Sequence, residues 1–236
     1  KSSAASDVYK RQLHTHKVTD MTYMFARCSS ITSLDLTSLD TSEVTSMRGM
    51  FDNCSDLTNL DLTPLDTQNV TNMSGMFNSC ESLTSLDLSP LNTKNVTDMS
   101  WIFSSCVGLS SIDLSPLDTN NVTDTSFMFY GCTGLKTLDL TPMNTSKVVT
   151  MQQMFYDCSG LTSLDLTSLD TRNVMGMSGM FQGCKSLINL DLSSLNTQKV
   201  TSMNSMFLDC DSLSTLSIGE KFAFVGTYYN LSLIHI

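Results

Sequence analysis

The chain has 236 residues, 41% of them hydrophobic and only 15% charged, a composition that supports a packed core and excludes a disordered chain. Its formal charge of -10 and pI near 4.5 exclude nucleic acid and anionic membrane as expected partners, since both select basic surfaces. No apolar run of about 18 residues occurs, and no charged-then-apolar leader opens the chain, so neither direct membrane insertion nor a visible signal peptide is expected.

Residues 1–12, KSSAASDVYKRQ, match nothing that follows. From Leu13 onward a single period governs the chain: eight cysteines from Cys28 to Cys210 and eight phenylalanines from Phe25 to Phe207 each recur every 26 residues. The expected organisation is a non-repeat tail at 1–12, eight repeats over 13–216, a C-terminal cap over 217–230 and a second tail at 231–236, LSLIHI. Both tails resemble translated cloning or adapter sequence, so the chain is expected to be an internal piece of a longer, monomeric protein whose signal and surface anchor lie elsewhere.

Within one unit two periodicities follow each other. Leu60 and Leu62 alternate with Asp61, which predicts a short strand with its carboxylate outward. Val70, Met73, Met76, Phe77 and Cys80 then fall on one stripe, which predicts a helix over roughly 70–80, capped by Asp66, Thr67 or Thr71. A lone unit buries too few side chains to offset a backbone ordering cost of about 1–2 kcal/mol per residue, so the units must stack. Strands pair about 4.8 Å apart and helices pack about 8–10 Å apart, so the array should curve with strands inside and helices outside. The expected fold is therefore an α/β, right-handed solenoid with a parallel sheet on the concave side and short helices on the convex side.

At this point the pattern resembles a known family. LTNLDLTPLD carries the L-x-x-L-x-L core of leucine-rich repeats, and MFNSCESL with NVTNMSGMF resembles the 26-residue class of BspA-like leucine-rich-repeat surface proteins. The ending LSTLSIGEKFAFVG resembles that family's terminal cap, with Ile218 and Ser217 in place of the repeat leucine and aspartate. The resemblance implies an extracellular, cell-surface protein linked to adhesion, with proteins or glycans of host or neighbouring cells as partners.

Candidate chemistry is sparse. No C-x-x-C occurs and the only histidines are His14, His16 and His235, so neither a zinc site nor a Cys/His nucleophile assembles. Parallel Cβ vectors disfavour disulfides between stacked cysteines, which are read as free buried thiols. Of the 16 methionines, 14 occupy the two stripe positions and are read as core; Thr125 and Ile102 interrupt those columns and are expected to reshape the fourth and fifth coils.

Two columns are the candidate binding residues. Asp35, Asp61, Asp87, Asp113, Asp139, Asp165 and Asp191 should line the concave wall, either as a ligand-binding ladder or as a solvated one that limits aggregation. Asp61, Asp87, Asp113, Asp139 and Asp165 are weak candidates for holding a cation, which would need six to eight oxygens if it were calcium. On the convex wall Trp101, Phe127, Tyr130 and Tyr156 bring aromatics together over three coils, as an interface or as half-covered packing. The sequons at Asn69, Asn72, Asn95 and Asn121 follow from a repeat rich in Asn, Ser and Thr. No catalytic residue and no cofactor are expected. The functional expectation is a non-catalytic adhesion or protein- and glycan-binding module; a spacer that merely holds a distal domain away from the surface is the alternative.

Overall fold

Each 26-residue unit closes one coil, and the coils stack in register as a leucine-rich-repeat-like solenoid. The computed structural model describes residues 15–226. Both non-repeat tails, Leu13 and His14 of the leading unit, and the end of the cap at 227–230 lie outside them.

Three aspartate or asparagine positions make the corners of a coil. Over one turn of the chain Asp61, Asp66 and Asn72 each accept a hydrogen bond on Oδ1 from the backbone N–H two residues ahead, at 2.9, 3.1 and 2.8 Å. This is the local bond that makes these residues turn formers. The leucines between the corners point inward.

The strand half is weaker than expected. Only β1 (Asn189–Asp191) and β2 (Thr215–Ser217) form strands among the described residues, paired in parallel with Leu190 opposite Leu216. Near the other end Ser33 bridges Asn59.

The helix half is not helical: among the described residues no helix forms, so the expected helices over 70–80 and its equivalents are corrected to a ladder of tight turns. Met76 N–H bonds Met73 C=O, Asn78 bonds Gly75 and Cys80 bonds Phe77, all three residues back. The alternate amides of Met73, Gly75, Phe77 and Ser79 instead donate to Asp98, Ser100, Ile102 and Ser104 of the next coil. Gly75 and Ser79 take left-handed φ values of 62° and 56°, and the same two positions are left-handed in every coil. Such turns want glycine or asparagine at their third residue, which is why Gly, Ser, Asn and Asp fill much of both columns. Single parallel bridges run along this wall from Asp20–Ser46 to Gly176–Ser202. Backbone coupling between coils is therefore densest on the turn wall, and the curvature argument built on thick helices no longer applies.

The core is a set of columns. Phe25 through Phe207 stack ring on ring with centroids 5.8–6.0 Å apart. Val70, Met73, Met76, Phe77 and Cys80 are all fully buried. Thr125 and Ile102 are buried too, and the coils around them keep the same turn-wall bonds, so the reshaping expected there does not occur.

Two polar columns run through this core. Each buried cysteine donates its thiol to a phenylalanine carbonyl one coil earlier, as Cys106 does to Phe77 at 3.1 Å and Cys132 to Phe103 at 3.0 Å. A buried threonine column bonds twice: Thr119 Oγ1 donates to Asn144 C=O at 3.1 Å and accepts from Asn144 N–H at 2.8 Å. The same pair recurs from Thr41 and Asp66 to Thr171 and Asn196, with Ala223 of the cap completing it at Thr197.

Candidate functional site

Two of the solvent-facing surfaces carry the candidate residues: the aspartate wall, at the middle residue of each Leu-Asp-Leu or Ile-Asp-Leu, and the turn wall. On the first, Asp35, Asp61, Asp87, Asp113, Asp139, Asp165 and Asp191 are all exposed, as expected. Each turns one oxygen back to its own chain: Oδ1 accepts from the N–H of Thr37, Thr63, Ser89, Ser115, Thr141, Thr167 or Ser193 at 2.9–3.0 Å. The amide and then the hydroxyl of that residue hold Asp61, Asp87, Asp113 and Asp165 below the ordinary carboxylate range. At Asp191 the Ser193 hydroxyl is the larger influence. Repulsion between neighbours acts the other way and is smaller, as from Asp87 on Asp61. The column thus has a local structural cause. No group of three or more His, Cys, Asp or Glu side chains is gathered to hold a metal among the described residues.

The cysteines offer no reactivity either. All eight are free, and burial pushes the thiols of Cys80 and Cys132 up to about 12. A thiol so far above neutral pH is a poor nucleophile and a poor metal ligand.

The turn wall is where the coils differ. Its first left-handed column reads Tyr23, Gly49, Gly75, Trp101, Phe127, Gln153, Gly179 and Ser205. A left-handed φ near 60° costs a side-chain-bearing residue about 1–2 kcal/mol, so bulky aromatics there run against local preference. Trp101 (φ 61°) and Phe127 (φ 61°) nevertheless stack with centroids 3.9 Å apart and planes 11° apart. Tyr130 leans on both, at 5.6 and 6.1 Å, and stacks on Tyr156 at 4.5 Å. The four expected aromatics are therefore one continuous surface across three coils. Trp101 is 38% exposed while Phe127, Tyr130 and Tyr156 are half-buried. Burial and the neighbouring Tyr156 raise the Tyr130 phenol above its ordinary value.

Tyr23, 48% exposed, escaped the reading of the sequence although it stands in register with Trp101. Aligning the units column by column would have found it. The sequon asparagines also have a structural use: Asn69, Asn95 and Asn121 donate Nδ2 to Ser42, Gln68 and Lys94 carbonyls one coil back.

With this geometry in place, comparison with known proteins gives the family. Three overlapping matches, over residues 4–114, 54–161 and 109–219, fit the family described as "Mycoplasma protein of unknown function, DUF285". The chain belongs to this family. Successive matches to the DUF285 profile overlap, as expected where every unit repeats the last. No curated protein matches the chain.

Several solved structures to which this DUF285 chain is similar are described as leucine-rich-repeat proteins. One is the T. pallidum leucine-rich-repeat protein TpLRR, 22% identical, covering 70% of this chain and 69% of that one at a TM-score of 0.49. A leucine-rich-repeat protein of Eubacterium ventriosum is 19% identical over 69% of this chain and 39% of its own, with a TM-score of 0.42. A leucine-rich cell surface protein of Faecalibacterium prausnitzii is 17% identical over 85% and 76%, with a TM-score of 0.30. None of these descriptions names a catalytic activity. Among the described residues no helix is long and apolar enough to cross a membrane.

Proposed function

We propose that the chain is a non-catalytic, cell-surface repeat module that mediates adhesion by binding proteins or glycans, and that its turn wall carries the contact. The observation that supports this reading is the aromatic surface of Trp101, Phe127, Tyr130 and Tyr156, two members of which sit in left-handed positions that glycine fills elsewhere. Large, stiff, half-exposed rings gathered in one place are the residue types that dominate binding interfaces. A cell-surface location agrees with the description of the similar Faecalibacterium prausnitzii protein. The aspartate wall is a weaker candidate, because its i to i+2 bonds explain the column without a ligand.

The test is binding of the full chain to immobilised extracellular-matrix proteins, glycans and bacterial surface polymers. Changing Trp101 and Tyr130 to Ala should abolish capture, whereas changing Asp87, Asp113 and Asp139 to Asn should leave it intact. Capture lost only in the aspartate variant would move the site to the other wall. No capture of any ligand by the intact chain would favour a spacer.

A further inference from the structure

Three coils upstream of Trp101 the same left-handed column carries Tyr23, and the two positions between them are Gly49 and Gly75. The result is a groove of about 410 Å³ on the turn wall, with Tyr23 at one end, Trp101 at the other and the two glycines beneath. The volume lies in the range of small-ligand sites, about 300–1,000 Å³. We propose that this groove binds a single neutral pyranose sugar residue, its ring faces against Tyr23 and Trp101 and its hydroxyls on Asp52, Asn78 and Asp98. The proposal deepens the binding reading above and rests on it.

Both aromatic ends are held before any ligand arrives. The Arg48 guanidinium lies 5.7 Å from the centre of the Tyr23 ring, and that ring lies over Gly49 so closely that a Cβ there would come within 2.2 Å of it. Trp101 is fixed from behind by Phe127, with centroids 3.9 Å apart. With Tyr23 covering the second coil and Trp101 rising from the fourth, the open span is about two strand spacings, roughly 10 Å. Gly75 lies beneath it, and a Cβ there would meet only Asn78 and Trp101 at ordinary distances of 3.8 and 3.9 Å.

The polar lining is also positioned in advance. Asp52 Oδ1 accepts from Asn78 Nδ2, and Asp98 Oδ1 accepts from the amide and hydroxyl of Ser100. Neither carboxylate's Oδ2 bonds a described residue, so each keeps an acceptor for a hydroxyl, and carboxylate acceptors make the stronger hydrogen bonds. Preorganised rings and acceptors lower the ordering cost of binding.

The same lining disfavours other ligands. Two carboxylates oppose an anion. Arg48 at the Tyr23 ring opposes a cation there. An extended peptide has no backbone to pair with, because Gly49 and Gly75 N–H already bond Ser74 and Ser100 C=O. What remains is a small, uncharged ring with apolar faces and a hydroxyl rim.

Trp101 is the only tryptophan in the chain, so its fluorescence reports the groove directly. The full chain is titrated with methyl pyranosides of glucose, galactose and mannose and their disaccharides, with tetramethylammonium chloride in a parallel arm. The decisive variant is Gly75→Tyr, which fills the groove at a position where Tyr23, Trp101 and Phe127 show that the backbone accepts an aromatic. Asp98→Asn is the second, since Asn72 makes the same turn one coil earlier. Expected are a saturable shift of the Trp101 emission by at least one saccharide, loss of at least tenfold in affinity in Gly75→Tyr, several-fold weakening in Asp98→Asn, and a melting temperature unchanged in Asp98→Asn but lowered by a few degrees in Gly75→Tyr, where a side chain replaces glycine at φ 62°. Saccharide binding that Gly75→Tyr leaves intact would overturn the groove while sparing the module's binding function. A shift by tetramethylammonium but no sugar would overturn the ligand class. If no probe moves the emission the proposal fails, and capture of a matrix protein by the same preparation decides whether the broader reading fails with it.

Discussion

Replacing Thr119 with valine removes one hydroxyl and nothing else of comparable size. The residue is 3% exposed, and its Oγ1 both donates to Asn144 C=O and accepts from Asn144 N–H. A made hydrogen bond contributes about 0.5–1.5 kcal/mol net, and a buried partner left unpaired costs about 1–3 kcal/mol. Two bonds are lost, but their partner Asn144 is an exposed residue, so the sum of two made bonds sets the scale and the change should destabilise the array by about 1–3 kcal/mol. Thr119→Ser keeps the oxygen and should cost less than half as much. Urea unfolding followed by Trp101 fluorescence and by circular dichroism measures this on coils near the centre of the stack. Because the contact ties one coil to the next, a nearest-neighbour array is expected to lose cooperativity there, and the two probes should separate in the valine variant. A valine variant within about 0.5 kcal/mol of the parent, with coincident probes, would refute the idea that the threonine column couples the coils.

Three further predictions follow from the other columns. Cys106→Ala removes a buried thiol and its bond to Phe77 C=O and should cost about 1–2 kcal/mol in a urea melt, while a thiol reagent added to the native parent should leave Cys106 unmodified until the chain unfolds. Asp61, Asp87, Asp113, Asp165 and Asp191 all have carboxyls held below their ordinary 3.8, so the stability they contribute is present above that value and is lost as pH falls through the lowered one. The melting temperature should therefore be flat down to about pH 4 and fall below it, with a shallower fall when Asp87 and Asp113 are changed to Asn. Asp157 has φ 51° in a column where Gly131 and Gly183 stand on either side. Asp157→Gly should then stabilise by about 0.5–1 kcal/mol in thermal unfolding, whereas Gly183→Val should destabilise by more than about 1–2 kcal/mol.

The period, the core columns and the free cysteines were legible in the sequence because each is a property of one residue type at one spacing. The helix was not, and the reason lies in Met73, Met76, Phe77 and Cys80. Turns closed by bonds three residues back deliver inward side chains at the same intervals of three and four as a helix does. The distinguishing signal is left-handed backbone at the positions of Gly75 and Ser79, and it is diluted in other coils by Trp101, Phe127, Gln153 and Arg27. The threonine column was hidden for another reason: Thr119 and Asn144 stand 25 residues apart and meet only once the coils stack. At the aspartate wall exposure was foreseen, but the cause was local, since Asp61 bonds the amide of Thr63 whatever the neighbouring coil does.

When identical bonds hold every coil, differences among coils carry the information about function, and Tyr23 is the sharpest of them. Its left-handed backbone costs about 1–2 kcal/mol relative to glycine. Trp101 and Phe127 recover part of that by stacking, worth about 0.5–1.5 kcal/mol. Tyr23 has no such partner in the next coil, where Gly49 stands, and its contact with Arg48 is worth about 0.5–1 kcal/mol at an exposed site. Ring stacking and the Arg48 contact together therefore do not explain why a tyrosine stands there. Tyr23→Gly should leave the melting temperature unchanged or slightly raised while it removes one end of the groove and weakens any saccharide that binds there. A variant that melts several degrees lower would show that Tyr23 is a packing residue after all, and the aromatic column would then need no ligand to account for it.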